Sequence, residues 1–186
     1  SSAASDVYKR QEFFYREAKK TLGTIREGFA YVKARPDLYV VMIAVFFAAT
    51  FGLNFQIFNA LMARGEFNKG PAYFGLLGTF IAVGSLSGAL LSARLEKQRN
   101  TMFVIRMGTV FSIVVMALSI MPSYTVYAIW LPLCGFSALT MLITANSLMQ
   151  MHSDPAIRGR ITGIYLLIFM GGTPFGSLAI GYLVEV

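Results

Sequence analysis

Amide and hydroxyl side chains inside long apolar stretches are the residues of this chain best suited to chemistry. Six of them, in the first and fourth stretches, are Asn54, Gln56, Asn59, Thr140, Thr144 and Asn146. A polar side chain in hydrocarbon is costly unless it finds a hydrogen-bond partner, so each must face another helix or a water-filled space. Two interpretations stay open: hydrogen bonds between helices, or the lining of a path for a small-molecule substrate.

Titratable groups are absent from the middle of the apolar stretches, which carry no Asp, Glu, Lys or His there. The chain therefore lacks an intramembrane carboxylate of its own for a proton relay. His152, the only histidine, lies beside Asp154 without a second ligand nearby in the sequence. The only cysteine is Cys134, which excludes a thiolate metal cluster. We predict no catalytic residues, no metal site and no cofactor.

Five apolar runs must position these side chains: residues 38–62, 72–93, 102–121, 124–149 and 161–184. Each has about the 20 residues that a helix needs to cross a hydrocarbon core of ~30 Å. Hydrophobic residues make up 56% of the chain and charged residues only 13%, which is unlike a soluble domain. The sequence predicts an all-α polytopic membrane protein with five transmembrane helices in the lipid bilayer.

Basic residues are concentrated before the first run and on alternate loops. Those that follow the second and fourth runs are Arg94, Lys97, Arg99, Arg158 and Arg160. The opposite side has only two, Arg64 and Lys69. By the positive-inside rule, the N-terminus is cytoplasmic and the C-terminal end is external. The net charge of +7 flanks the membrane and forms no continuous basic face, so we predict no nucleic-acid partner.

The segment before the first run, residues 12–37, predicts a cytoplasmic amphipathic helix. Its apolar residues recur at spacings of three or four and are Phe14, Ala18, Leu22, Ile25, Phe29 and Val32. Such a helix lies along the membrane surface, and Pro36 should end it before the first span. A linker without a further role and a regulatory partner helix both remain open.

Both ends of the chain have the features of a cut sequence. Residues 6–11 resemble the translation of an adaptor used to prepare DNA for sequencing, so we predict that residues 1–11 are an artefact. The other end follows directly on the fifth run. We therefore expect part of a larger protein, in which residues 38–186 form a partial transmembrane domain.

Small residues and prolines predict how the helices pack. In lipid, helices associate by close packing of smooth faces, and proline can kink a helix. The positions that predict packing or a kink are Gly84, Gly88, Pro132, Gly172, Pro174 and Gly176.

Several motifs resemble those of the major facilitator superfamily of transporters. Residues 26–36 resemble the end of its central cytoplasmic loop, and residues 88–99 resemble a degenerate copy of its basic loop motif. Residues 154–163 resemble the loop before the penultimate span, and residues 171–176 resemble that span's glycine-proline stretch. Residues 12–186 thus resemble the C-terminal half of such a transporter, most of all the bacterial drug and siderophore exporters of the enterobactin-exporter type.

The resemblance implies that the five spans are equivalent to helices 7–11 of twelve in a bacterial inner membrane. It implies proton-coupled efflux of a small organic compound such as a drug or siderophore by alternating access. The proton-carrying group would lie in a missing N-terminal half, and the six amides and hydroxyls would line the substrate path. Residues expected at a cytoplasmic gate are Arg94, Lys97, Arg99, Asp154, Arg158 and Arg160.

Other function classes remain as alternatives. A five-span scaffold or receptor without transport activity would explain the same apolar runs. The membrane subunit of an ATP-driven transporter would need a cytoplasmic coupling loop, for which the loops here are short. A membrane enzyme is disfavoured, because the membrane surface carries no paired His, Asp or Glu.

Overall fold

The computed structural model describes residues 25–95 and 99–185. All regular structure in these two segments is helical, and five helices are long and apolar enough to cross a membrane. The spans are Pro36–Glu66, Pro71–Arg94, Thr101–Leu118, Tyr124–Met151 and Arg158–Leu183. The predicted fold class, an all-α polytopic membrane protein, is confirmed. The predicted artefact at residues 1–11 and the predicted gate residue Lys97 lie outside the described residues.

The first span is divided into four helical pieces instead of the one continuous helix that the sequence predicts. They are α2 (Pro36–Phe47), a π-helical turn (Ala48–Gly52), α3 (Phe55–Leu61) and a second π-helical turn (Met62–Glu66). Residues 25–34 form α1, which stops at the extended residue Arg35. Pro36 then begins α2, because its ring fixes φ near the helical value and a first-turn residue needs no N–H partner.

The other four spans are single helices: α4 (Pro71–Arg94), α5 (Thr101–Leu118), α6 (Tyr124–Met151) and α7 (Arg158–Glu185). Polar caps set two of the starts. The Phe103 N–H donates to Asn100 Oδ1 at 2.8 Å, and the Val126 N–H donates to Ser123 Oγ at 3.5 Å. Helices α6 and α7 continue through Pro132 and Pro174.

The fourth span, α6, is the centre of the bundle and packs along α4 and α5. Glycines bring α4 and α6 into backbone contact. A Cβ atom at Gly84 would lie 1.9 Å from the Pro132 carbonyl oxygen, and one at Gly135 would lie 2.3 Å from the Ile81 carbonyl oxygen. Any larger residue at these positions would force the helices apart, as expected for helices that associate by close packing.

Buried residues form two apolar layers, one toward each end of the bundle. The layer at the basic end includes Leu38, Val41, Met141, Leu148 and Ile161. The layer at the other end includes Ala63, Leu77, Val114, Tyr127 and Leu131.

Between the two apolar layers lies a band of small and polar side chains, which we call the middle layer. It consists of Thr50, Asn54, Gly88, Gly135, Ser137, Thr140, Gly172 and Gly176. Of the six polar residues that the sequence singles out, Asn54 and Thr140 belong to this middle layer.

Candidate functional site

The first span is interrupted in the middle layer. The Leu53 N–H reaches back five residues to the Ala48 carbonyl oxygen at 3.0 Å, which widens the helix by one residue. Leu53 and Asn54 then leave helical geometry before α3 begins at Phe55. Such π-helical turns are frequent at functional sites, because they disturb the regular backbone pairing and re-aim the side chains.

Asn54 bridges this interruption to the fifth span. Its Nδ2 donates to the Thr50 carbonyl oxygen at 2.9 Å. Its Oδ1 lies 2.9 Å from the Ser177 hydroxyl, whose single proton is shared between Asn54 Oδ1 and the Thr173 carbonyl oxygen, also at 2.9 Å. The Thr50 hydroxyl is buried and has no hydrogen-bond partner among the described residues. The first and fifth spans are thus joined by a small polar contact inside the membrane.

Two glycines of α7 make this contact possible. A Cβ atom at Gly176 would lie 1.6 Å from the Thr50 carbonyl oxygen, and one at Gly172 would lie 2.9 Å from the Thr50 hydroxyl oxygen. Gly52 has the same role toward α5, since a Cβ there would lie 2.3 Å from the Phe111 ring. The interrupted segment is therefore enclosed by neighbours that approach its backbone directly.

Three of the other predicted path residues are buried and hydrogen-bonded. Asn59 Oδ1 accepts a hydrogen bond of 3.1 Å from the buried Tyr127 hydroxyl, which joins α3 to α6. The Thr140 hydroxyl donates to the Gly88 carbonyl oxygen at 3.4 Å, and the Thr144 hydroxyl donates to the Thr140 carbonyl oxygen at 2.8 Å. These residues are satisfied within helix interfaces.

Gln56 and Asn146 differ from the other four because they are not buried. Gln56 is exposed on α3, and Asn146 is half-buried on α6, where its Oδ1 accepts from Gln150 Nε2. The structure therefore does not gather the six predicted residues around a single space. Only these two keep an amide outside the closely packed interfaces.

The basic end of the bundle is held by ion pairs that the sequence did not reveal. Arg35 donates to both carboxylate oxygens of Asp37, at 3.1 and 2.9 Å. This hydrogen bonding raises the pKa of the Arg35 guanidinium above its usual value. His152 Nδ1, at the end of α6, lies 3.2 Å from Asp37 Oδ2. The first and fourth spans thus meet at one carboxylate.

A second ion pair joins α1 to the fifth span. Arg160 Nη1 lies 2.9 Å from Glu27 Oε2. Close packing supports it, since Val32 of α1 is buried in the apolar layer of the basic end and a Cβ at Gly28 would meet Ile164 at 2.5 Å. The part of the predicted amphipathic helix that the structure describes therefore packs on the bundle along its Gly28 and Val32 face.

The remaining predicted gate residues have local partners or face solvent. Arg99 Nη2 donates to the Ser92 carbonyl oxygen at 3.1 Å. Asp154 Oδ1 accepts from the Ala156 N–H at 2.9 Å, and Arg94 and Arg158 are exposed. The partners Asp37 and Glu27 were missed in the sequence because each is a single acid that has no fixed spacing to a basic partner far away in the chain.

A half-open apolar cavity of about 420 Å³ lies between the first and third spans. Its walls include Phe47, Phe51, Gly52, Gly108 and Phe111. Among the described residues, no group of three or more His, Cys, Asp and Glu side chains is placed to hold a metal ion. The chemistry available inside the bundle is therefore hydrogen bonding and apolar contact.

Comparison with known proteins gives one informative finding. The family model described as transmembrane secretion effector matches residues 8–186. No curated protein and no solved structure matches the chain.

Proposed function

Because the chain belongs to the transmembrane secretion effector family, a branch of the major facilitator superfamily, we propose that it exports a small, partly apolar organic compound by alternating access. Membership makes this a membrane transporter domain. Drugs and siderophores are the compound classes that we propose for the cargo. In this proposal the five spans are equivalent to helices 7–11 of twelve, and a six-helix N-terminal half together with a twelfth helix completes the transporter.

The observation that carries the proposal is the interrupted first span in the middle layer. Transporters of this type rock two halves about a site near the bilayer midplane, and their discontinuous helices lie there. The contact of Asn54 with Ser177 is a single shared hydrogen bond between spans, so it can be broken and remade at small cost. Gly172 and Gly176 offer no side chains that would lock the two helices together.

The basic end supports an alternating gate. Described basic residues at this end outnumber those at the other end, where only Arg64 and Lys69 lie, so we place the basic end in the cytoplasm. The contacts of Glu27 with Arg160 and of Asp37 with His152 are partly exposed and few. Exposed ion pairs contribute little stability, so they can separate when the cytoplasmic side opens. The predicted gate residues that the structure describes lie at the same end, and we propose that they take part in this gate.

For the substrate path, we propose distinct roles for the six predicted residues. Gln56 and Asn146 would contact the compound directly, because their amides are not buried in helix interfaces. Asn54, Asn59, Thr140 and Thr144 would act by holding the helices that form the path. No carboxylate lies in the middle of the spans, so the proton-carrying group of an antiporter would lie in the N-terminal half.

The proposal is tested by efflux from bacterial cells that express the complete gene encoding this chain. Cells are loaded with a panel of fluorescent amphipathic dyes, and the rate of dye loss is compared between wild type, Gln56→Ala and Asn146→Ala at equal protein level. We expect efflux of at least one dye to fall severalfold in each variant. The matched control is Thr79→Ala, which removes an exposed hydroxyl bonded only within its own helix.

The energy source separates this proposal from the alternatives. Collapse of the proton gradient with an ionophore, while ATP is maintained, should stop the efflux. Efflux that follows ATP instead would indicate the membrane subunit of an ATP-driven transporter. If no dye in the panel is moved, or if alanine at all six positions leaves efflux unchanged, the proposed path is wrong.

A further inference from the structure

A second half-open groove, of about 540 Å³, lies at the basic end between α1, α2 and α7. One wall is a continuous face of α2, formed by Tyr39, Met42, Ile43, Phe46 and Phe47. Their spacing of three and four residues places them on one side of the helix, over about two turns. The groove therefore runs from the membrane surface into the hydrocarbon.

The opposite wall, on α1, combines apolar and basic residues. Phe29 and Ala30 continue the apolar lining, and Arg26 and Lys33 flank them on the same helix face. The two basic residues are seven positions apart, which is two helical turns or about 10 Å. Neither forms an ion pair with any residue that the structure describes.

The acidic groups that the structure describes near this wall are engaged elsewhere. The Glu27 carboxylate is paired with Arg160, and the Asp37 carboxylate is paired with Arg35 and His152. Among the residues that the structure describes, the mouth of the groove therefore carries positive charge that its acidic neighbours do not cancel. A positive mouth above an apolar channel is complementary to an amphiphile with an anionic head.

We propose that this groove binds one anionic phospholipid of the cytoplasmic leaflet. The phosphate lies between Arg26 and Lys33, and an acyl chain follows the aromatic face of α2. Four of the five side chains along this face are exposed, with 41% of Phe46 and 54% of Phe47 accessible, as expected for residues that contact a lipid chain, whereas Met42 is buried. Basic pockets at the cytoplasmic side of a bundle are typical sites for anionic lipid head groups.

The consequence is a lipid that touches the linker helix, the first span and the fifth span together. These are the elements joined by the Asn54 contact and by the pair of Glu27 with Arg160. The lipid composition of the cytoplasmic leaflet would then bias how firmly α1 sits on the bundle. This inference does not depend on which compound the transporter moves.

A tryptophan placed in the groove tests the proposal. The full chain carrying Phe46→Trp is reconstituted in phosphatidylcholine vesicles that hold a minor fraction of lipid brominated on the acyl chain. The brominated lipid is either phosphatidylglycerol or phosphatidylcholine. Bromine quenches indole fluorescence at short range, and the signal of the native tryptophan, which is Trp130 in the sequence shown, is subtracted by using the unsubstituted chain.

We expect phosphatidylglycerol to associate with the groove much more strongly than phosphatidylcholine. Each basic residue near the surface should account for about a fivefold preference. Replacing both, as Arg26→Gln with Lys33→Gln, should remove most of the preference, while Arg26→Lys with Lys33→Arg should keep it. Both positions are exposed, and circular dichroism checks that the helical content is unchanged.

The matched control removes two positive charges at the same end but outside the groove, as Arg94→Gln with Arg158→Gln. It should leave the preference unchanged. An equal loss of the lipid preference in this control would show that the effect is general electrostatic attraction to the membrane surface. That result would overturn the proposal. So would an absence of preference in the reporter chain, displacement of the lipid by inorganic phosphate, or a tryptophan that neither lipid quenches because protein covers it.

Discussion

At the residue scale, Asn54 is the side chain for which the expectation from the sequence and the observed contacts agree most directly. An asparagine inside an apolar run must be hydrogen-bonded, and here both ends of its amide are used, by the Thr50 carbonyl and by Ser177. The bond to Thr50 stabilises the interruption of the first span, and the bond to Ser177 joins that interruption to α7. One amide thus links the local backbone to the packing of helices.

The energy of this contact can be measured by a double-mutant cycle of Asn54→Ala and Ser177→Ala. Hydrogen bonds between membrane helices average about 0.6 kcal/mol, with a maximum near 1.7 kcal/mol. We expect a coupling energy in that range, measured by reversible unfolding in mixed detergent micelles.

The control for this cycle pairs Asn54→Ala with Ser87→Ala, because the Ser87 hydroxyl bonds only to carbonyl groups of its own helix α4. That pair should show no coupling beyond experimental error. Coupling energies that are the same for Ser177 and Ser87 would mean that the Asn54 contact does not join the two spans.

At the scale of elements, close backbone approach governs which helices pair. The α4 and α6 helices meet through Gly84, Gly88 and Gly135, and α7 meets the interrupted first span through Gly172 and Gly176. In lipid there is little hydrophobic force between helices, so contacts that only glycine permits determine the arrangement. Glycines on these helices that face away from neighbouring helices do not determine the arrangement.

Two glycines of α7, Gly176 at a helix contact and Gly181 on an outward face, allow these two kinds of position to be compared. Gly176→Ala places a Cβ at 1.6 Å from a backbone carbonyl, so the helices must move apart, and overpacking of this kind costs about 1–3 kcal/mol. Gly181→Ala meets nothing within 4 Å, so it should leave stability unchanged or raise it slightly through helix propensity.

Thermal unfolding in detergent, followed by circular dichroism, measures both variants. Only Gly176→Ala is expected to lower stability, which makes the pair informative even if absolute stabilities shift with the detergent. Equal effects of the two substitutions would show that α7 does not pack on the first span through Gly176.

At the scale of the whole molecule, several contacts hold the helices of the basic end together, whereas the spans can shift against each other in the middle layer. The α1 helix is fixed to the bundle by Val32 in the apolar layer, by Gly28 against Ile164 and by the pair of Glu27 with Arg160. The Asp37 carboxylate links the first and fourth spans. Because α1 is held in this way, a movement of this linker helix can be transmitted to the spans.

Hydrogen exchange measures how firmly α1 is held. Glu27→Gln removes the charge that pairs with Arg160, and exposed ion pairs are worth about 0.2–1 kcal/mol. We therefore expect the backbone amides of residues 25–34 to exchange up to about fivefold faster, read by mass spectrometry of peptides from this segment. Asp154→Asn is the control, since its carboxylate accepts only from the Ala156 N–H in its own loop. Protection of residues 25–34 that is unchanged in Glu27→Gln would mean that apolar packing alone holds the helix.

The sequence by itself determined the class of protein and the number of spans. Five runs of about 20 apolar residues can be satisfied only as membrane helices, because the backbone polar groups must pair internally in lipid. The span boundaries follow from local chemistry, as with Pro36 and Pro71 at helix starts and Asn100 as a cap. These features depend on residues close together in the chain, so they can be predicted from the sequence.

Only the tertiary structure decided which polar groups meet. Asn54 and Ser177 are 123 residues apart, and His152 lies 115 residues from Asp37, so no spacing rule could pair them. The interruption of the first span was also hidden, because Ala48–Gly52 has no proline or charged residue and favours a continuous helix as readily as a π-helical turn. Its position is fixed by Phe111 against Gly52 and by the glycines of α7. Contacts of this kind arise when helices pack, and they decide where a membrane protein can change shape.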